Sequence, residues 1–370
     1  MVNKNAFLYL TAFSKTGGIE QFNKNFLKAM HTFDPDVVAV SLHDTKTDER
    51  YFPVQRFKGY GGSKIAFLLS LFLHAKQYNK VYIGHINLAL AGFILKKRNP
   101  SVQLVLIGHG IEVWNKQKGL VAWLLKQAAA IFTVSNFTKK AMCSNNVYVP
   151  EDKVKILPNA LDPFFAFPAS FTKPAYLKEK YRLQPTDKII LTIARLSSEE
   201  QYKGYDLVIR SLKKIIAQDS TVKYLLAGKA DETEAARIRK LIQTESLSDR
   251  VILPGFIPNA ELTDHYLLAD VFVLPSMGEG FGIVLIEALA CGRKVIAGNK
   301  DGSVDALLNG KLGVLVDPEN PDELAQAIDV TLKGETATAL ELQSAAKAHF
   351  AFPQFEHQLS CLLNQDSFDN

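Results

Sequence analysis

The stretch "PSMGEGFGIVLIEALACG", residues 275–292, joins a glycine-flanked glutamate, Glu279, to a second one, Glu287, set inside an apolar run. Just ahead of it, residues 271–274 read as a buried strand ending at Pro275. The turn "SMGEGFG" follows, and a helix is expected from Gly282 to Cys291. The first amides of a helix have no partner within it, and its positive end favours a phosphate or diphosphate. Glycines at 278, 280 and 282 permit close backbone approach, so Gly280, Phe281, Gly282, Ile283 and Val284 are candidates to hold a diphosphate through their amides. Glu287, one and a half turns into the helix, can accept hydrogen bonds from the paired hydroxyls of a ribose. Glu279 would lie over whatever the diphosphate carries. The neighbours "IVLIEALAC" are apolar, and a carboxylate without a partner is costly in such surroundings.

Outward from this corner, short apolar runs alternate with helix-compatible segments, the pattern of parallel sheets covered by helices. The first half offers strands at 7–10, 37–42, 81–84, 102–107 and 131–134, with helices at 19–30, 119–129 and 136–143. Residues 158–185 carry five prolines and interrupt that regularity. The second half resumes it, with strands at 189–194, 222–227, 251–253, 271–274, 295–297 and 313–316. Its helices are expected at 205–218, 233–245, 261–268, 282–291 and 322–332. The domain reading is 1–165 for an N-terminal Rossmann-like unit, 166–185 for a linker and 186–350 for a second such unit. Helical segments at 338–350 and 355–363 fit either unit, and part of 350–370 is free to return to the first.

The chain of 370 residues is 47% hydrophobic, enough for two such domains. The three cysteines, Cys143, Cys291 and Cys361, have neither disulfide-framework nor zinc-knuckle spacing, and no structural metal is expected. The opening residues read as a strand rather than a secretory signal, and the apolar segment 65–75 is far shorter than a bilayer span. A cytoplasmic location is the expectation, with peripheral attachment to the inner face of the cell membrane. Net charge is +5, yet residues 1–184 carry 25 Lys+Arg against 11 Asp+Glu, and the remainder is acidic. A basic first half suits anionic lipid, a phosphorylated acceptor or nucleic acid. Neither a Walker loop nor a Gly-x-Ser-x-Gly elbow occurs, which weighs against phosphate hydrolysis and acyl transfer.

Four other stretches carry candidates. In "LTIARLSSEEQYKGYDLVI", Arg195 follows a strand and Lys203 precedes a helix. Arginine's rigid fork and lysine's mobile charge suit a leaving diphosphate. Gly17 and Gly18 in "SKTGGIE" form a loop able to pass close to phosphates, and Gly228 and Lys229 in "AGKADE" are a comparable, weaker pair. His109 in "VLIGHGIEVW" stands at a strand end between two glycines, so its imidazole can approach a ligand.

On these residues the chain resembles the retaining glycosyltransferases of GT-B fold, family 4, of the "glycosyl transferases group 1" type. The "GEGFGIVLIEALACG" run is the most specific element, and "VSNFT" and "LPNALD" are further likenesses. The resemblance implies two Rossmann-like domains facing each other across a deep cleft. It gives Glu279 the donor sugar's hydroxyls, Glu287 the ribose, and Arg195 and Lys203 the diphosphate. Gly17 and Gly18 would lie next to donor and acceptor, and His109 near the donor sugar. The stretch between Arg195 and Lys203 is slightly longer than the family's, and Asp305 stands where the family places a glutamate.

The implied reaction is transfer of a hexose, with glucose from UDP-glucose preferred over GDP-mannose or UDP-N-acetylhexosamines, with retention of anomeric configuration and without metal or other cofactor. The acceptor would be a hydroxyl of a glycan or a polyprenyl-diphosphate-linked intermediate, in surface polysaccharide or glycolipid synthesis. Contact with an anionic membrane is expected; nucleic acid is not, because aromatic stacking platforms are absent from the basic half. The alternatives are a non-catalytic nucleotide or nucleic-acid binding protein and a sugar-nucleotide epimerase of the same fold.

Overall fold

The computed structural model describes residues 4–334 and 337–365; expectations for residues 1–3, 335–336 and 366–370 lie outside it. It divides into two compact units, one running to Pro163 and resuming at Phe350, the other spanning Phe164–His349.

The first unit holds strands β1 (Lys4–Tyr9), β2 (Val38–Ser41), β3 (Phe57–Gly59), β4 (Tyr78–Ile83), β5 (Gln103–Gly108), β6 (Ala130–Thr133) and β7 (Val154–Ile156). They pair in parallel in the order β3-β2-β1-β4-β5-β6-β7. Its helices are α1 (Gly18–Phe33), α2 (Lys64–His74), α3 (Ala89–Arg98), α4 (Ile111–Trp114), α5 (Gly119–Gln127) and α6 (Asn136–Asn145).

Alternate strand residues bury opposite faces of the sheet. Ala6, Leu8, Val81, Ile83, Leu104 and Leu106 meet Phe67 and Leu71 of α2, Leu95 of α3 and Leu124 of α5 on one face. On the other, Phe7 meets Phe26 of α1 at 4.6 Å between ring centroids, and Tyr82 meets Phe26 at 5.4 Å.

The second unit contains α7 (Ala175–Lys180), β8 (Lys188–Ile193), α8 (Tyr205–Gln218), β9 (Val222–Ala227), α9 (Glu232–Thr244), β10 (Val251–Gly255), α10 (Asn259–Leu268), β11 (Val271–Leu274), α11 (Ile283–Ala290), β12 (Lys294–Gly298), α12 (Ser303–Ala306), β13 (Val314–Val316), α13 (Pro321–Lys333) and α14 (Ala339–Phe350), the last reaching the unit boundary. Its parallel sheet runs β10-β9-β8-β11-β12-β13. Helix α8 shows why such segments fold as they do. Tyr205, Val208, Ile209, Leu212 and Ile215 recur at helical spacing and are all buried. Each such aliphatic side chain contributes roughly 1.5–3 kcal/mol by leaving water.

In both sheets the order reverses beside the unit's first strand, between β1 and β4 and between β8 and β11. Ligands of open α/β sheets bind beyond the strand ends at such switch points. The two units are therefore Rossmann-like α/β domains with parallel sheets, as a GT-B architecture requires.

Several segments differ from the sequence reading. β3 and β7 were not anticipated: each has three residues at a sheet edge, too short for a periodic signature. Helix α3 also escaped it, because its apolar residues are not confined to one face. Residues 166–185, read as linker, carry α7, whose Leu177 is buried. The Tyr181 hydroxyl meets His265 Nε2 on α10 at 2.8 Å, so this stretch packs within the second unit. Of the terminal segments, α14 docks there through Gln343, which donates to the carbonyls of Pro168 and Ala290. Helix α15 (Phe352–Gln365) packs on α1 of the first unit, Phe355 edge-on to Phe22 at 5.6 Å.

Candidate functional site

The loops after β8 and β11 meet at the switch point of the second sheet. Gly204, at φ 78°, brings its backbone against Pro275, whose carbonyl oxygen would lie 2.1 Å from a Cβ there. Met277 N–H donates to the Tyr202 carbonyl at 2.9 Å, and the Tyr202 ring fills the space a side chain at Gly278 would need. These contacts set Lys203 beside Glu279: Nζ lies 2.6 Å from Oε1, with side chains only 14% and 15% exposed. Burial pulls the Lys203 ammonium pKa down, but the Glu279 charge and hydrogen bond outweigh it and leave the pKa above its ordinary value.

The Glu279 backbone is itself held. Its N–H donates to Asp301 Oδ2 at 2.8 Å and its carbonyl accepts from Gly302 N–H at 2.8 Å. A Cβ at Gly302 would sit 2.0 Å from the Gly280 carbonyl oxygen. Asp301 is fully buried; desolvation first, then the Glu279 charge, pushes its pKa up to about 6. Sequence reasoning passed over Asp301 in favour of Asp305, which lies partly buried on α12. The available signal was the Asp-Gly pair itself, which marks a turn.

Helix α11 opens after Gly282, which has φ 92°, so Ile283 and Val284 supply its first amides. Phe281 and Ile283 are buried and Gly280 and Val284 partly exposed. Glu287 is partly exposed, and Tyr266 donates its hydroxyl to Oε2 at 2.8 Å. Burial and the Glu287 carboxylate hold that phenol well above its ordinary pKa, so it stays a donor.

Arg195 reaches outward, its side chain 64% exposed and Nη1 3.2 Å from Glu200. Gly228 has a packing reason for being glycine: a Cβ would lie 1.7 Å from the Ala194 carbonyl oxygen. Lys229 is exposed, and its carbonyl accepts from Leu196 N–H. The structure thus brings Lys203, Glu279 and the start of α11 together, with Arg195 on the adjoining loop.

In the first unit, Gly17 and Gly18 are exposed at the start of α1, and the Gly17 carbonyl accepts from Gln21 N–H. The loop before them wraps a residue the sequence reading missed. Buried Asp44 accepts from Thr11 Oγ1 and from the amides of Ala12, Phe13 and Ser14. His109 ends β5 with its ring buried; Nε2 lies 2.8 Å from the Gly84 carbonyl oxygen, to which it must donate. Phe22 packs edge-on to the ring at 5.0 Å, and the His109 N–H donates to Glu112 at 2.6 Å. Burial lowers its pKa to about 4 against the raising effect of the Gly84 bond. His85, nearly parallel at 6.3 Å, is likewise lowered to about 4 by burial. Both imidazoles are neutral at pH 7 and offer hydrogen bonds rather than charge. Among the described residues, no group of three or more His, Cys, Asp or Glu is placed to hold a metal ion.

Residues 16–164 match the family described as Glycosyltransferase Family 4, and residues 176–349 match Glycosyl transferases group 1. An uncharacterized glycosyltransferase of Methanocaldococcus jannaschii is 31% identical over 56% of this chain and 51% of its own. A GDP-mannose-dependent phosphatidylinositol monomannoside mannosyltransferase of Mycolicibacterium smegmatis is 27% identical over 73% of this chain and 70% of its own. The chain spans about half the length of the first curated relatives it matches. In three dimensions it is similar to Anabaena HepE in complex with UDP-glucose, with a TM-score of 0.80, 19% identity and coverage of 98% and 99%. Sucrose-phosphate synthase of Thermosynechococcus elongatus gives a TM-score of 0.72 at 20% identity, covering 98% of both chains. Two parallel-sheet Rossmann-like units, matched in turn by these two families, make the chain a member of the GT-B-fold glycosyltransferase superfamily.

Proposed function

We propose that the chain is a retaining, family-4 glycosyltransferase that moves a hexose from a nucleoside diphosphate sugar to a hydroxyl of a glycan or polyprenyl-diphosphate-linked acceptor, in surface polysaccharide or glycolipid synthesis. The observation that carries this reading is the Lys203–Glu279 pair, its side chains largely shielded from water beside the start of α11. An ammonium held out of water needs an anion, and a donor diphosphate is a better one than a single carboxylate.

On donor binding, Lys203 turns to the diphosphate with Arg195 and the α11 amides, and Glu279 is released to accept hydrogen bonds from the sugar's hydroxyls. Glu287, oriented by Tyr266, takes the ribose. The acceptor oxygen forms its bond to the anomeric carbon on the face from which the diphosphate departs. The anomeric carbon–oxygen bond to phosphate breaks, and the leaving phosphate oxygen takes the acceptor's proton. Rate then comes from fixed charges stabilising the developing diphosphate. His109 and the Gly17–Gly18 loop serve ligands at their own sheet's switch point, His109 as an uncharged hydrogen-bonding group.

UDP-glucose remains the preferred donor, supported by the UDP-glucose complex of HepE; the mannosyltransferase relatives make GDP-mannose the competitor. The test is nucleoside diphosphate release from a panel of UDP, GDP and ADP sugars, with and without a membrane lipid extract, beside Glu279→Ala. Release from one donor, enhanced by the extract and lost in the variant, is expected. No binding and no release with any donor would overturn the proposal.

A further inference from the structure

Helix α2 has two apolar sides. Phe67 and Leu71 point into the core of the first unit, followed by Ala75. On the solvent side Ile65 is 83% exposed, Leu69 54%, Phe72 42% and Leu73 64%. Ile65, Leu69 and Leu73 follow one another at steps of four, and Phe72 lies three residues after Leu69, so all four side chains fall on one side of the helix. A soluble surface helix ordinarily turns charged or polar residues outward, and a row of aliphatic groups in water marks a contact site. Leu90 of α3 and Leu120 of α5, exposed by 44% and 40%, extend the apolar character to the two helices that follow α2 on the same sheet face.

Charge identifies what covers this stripe. Residues 51–150 contain 13 Lys+Arg and a single acidic residue, Glu112, whereas residues 1–50 hold six of each. The basic excess of the first half is therefore concentrated in the segment that builds α2, α3 and α5. Glu112 points its carboxylate to the His109 amide. Exposed Lys64 opens α2, Lys76 follows its end, and exposed Lys97 and Arg98 close α3. The Arg98 guanidinium lies 4.2 Å from the Phe72 ring centroid, so cation and apolar stripe share one surface.

We infer that α2, with the adjoining ends of α3 and α5, docks on an anionic lipid surface. Ile65, Leu69, Phe72 and Leu73 enter the headgroup–acyl boundary, and Lys64, Lys76, Lys97 and Arg98 pair with lipid phosphates. Eleven residues of helix span about 16 Å, so α2 lies in the interface and does not cross it; no described helix is long and apolar enough to cross. A second copy of the chain fits less well, since it would bring two strongly basic faces together. Nucleic acid fits less well too: Ile65, Leu69 and Leu73 offer no face for base stacking, and Arg98 already covers Phe72.

The surface suits the lipid-linked acceptor proposed above, but vesicle binding is measured without donor, so either proposal can fail alone. The full chain is sedimented with phosphatidylcholine vesicles and with vesicles containing phosphatidylglycerol, at low and high salt. Binding is expected only with the anionic vesicles, weakened by salt. Lys64→Ser/Lys76→Ser should lose about fivefold in affinity per lysine. Ile65→Ser/Leu69→Ser/Leu73→Ser should lose roughly tenfold or more while keeping the parent's melting temperature, since these side chains are exposed. Equal vesicle binding by parent and triple variant would overturn the inference. So would absence of vesicle binding accompanied by a dimer that the triple variant abolishes, or by salt-sensitive binding of single-stranded RNA.

Discussion

Replacing Lys203 by Met and Glu279 by Gln, singly and together, tests the pair at the centre of the second unit. Two unit charges 2.6 Å apart attract by about 6 kcal/mol at an effective dielectric near 20, most of it offset by desolvating both groups. Removing one partner leaves the other charged in a site where it is largely shielded from water, so each single variant should lose about 3–5 kcal/mol of stability. The double variant removes both charges and should cost no more than about one single variant, a coupling of at least about 3 kcal/mol between the two sites. Both tryptophans, Trp114 and Trp123, lie in the other unit, so their fluorescence reports the wrong transition. The assay is amide hydrogen exchange under urea, read on peptides from α8 and α11. Single-variant losses that add to within about 0.5 kcal/mol in the double variant would show that the pair is not formed in solution, and the donor-exchange mechanism would fall with it.

Two further outcomes follow from the geometry. His85 and His109 bind protons less readily folded, with pKa values lowered to about 4, than unfolded near 6.5. Their stabilising effect is complete above about pH 6.5 and is lost as pH falls towards about 4, by up to roughly 3 kcal/mol each. The urea midpoint read by tryptophan fluorescence should therefore drop across this window, less steeply in His109→Gln; identical slopes would refute the assignment. Gly204→Ala must place a Cβ 2.1 Å from the Pro275 carbonyl at φ 78°, whereas Gly255→Ala, at φ 77°, meets nothing within 4 Å. The first should cost at least about 2 kcal/mol more than the second and weaken donor binding, and equal losses in thermal melts would show that the Gly204–Pro275 approach is not tight.

Much of the fold was legible because each signal was local. Strands β9 and β11 and helix α8 coincide with the sequence reading to the residue, since unbroken apolar runs and a helical apolar stripe have few alternatives. The candidate site was legible only where one short segment carries it: the turn from Pro275 to Gly282 announces itself by its glycines. Asp301 and Asp44 were not legible, because an aspartate in a loop looks alike whether it faces water or accepts backbone amides from a distant segment.

By itself the sequence determined two parallel α/β units and a glycine-framed corner holding Glu279 and Glu287. Tertiary structure alone decided that Lys203 and Glu279, 76 residues apart, stand 2.6 Å from each other. It also sent α15 to α1 and α14 to the second unit, made both histidines neutral, and turned one side of α2 to solvent. The physical reason is common to all four. Periodicity encodes which side chains leave water along one element, whereas pairing, pKa and exposure depend on what another element places opposite them.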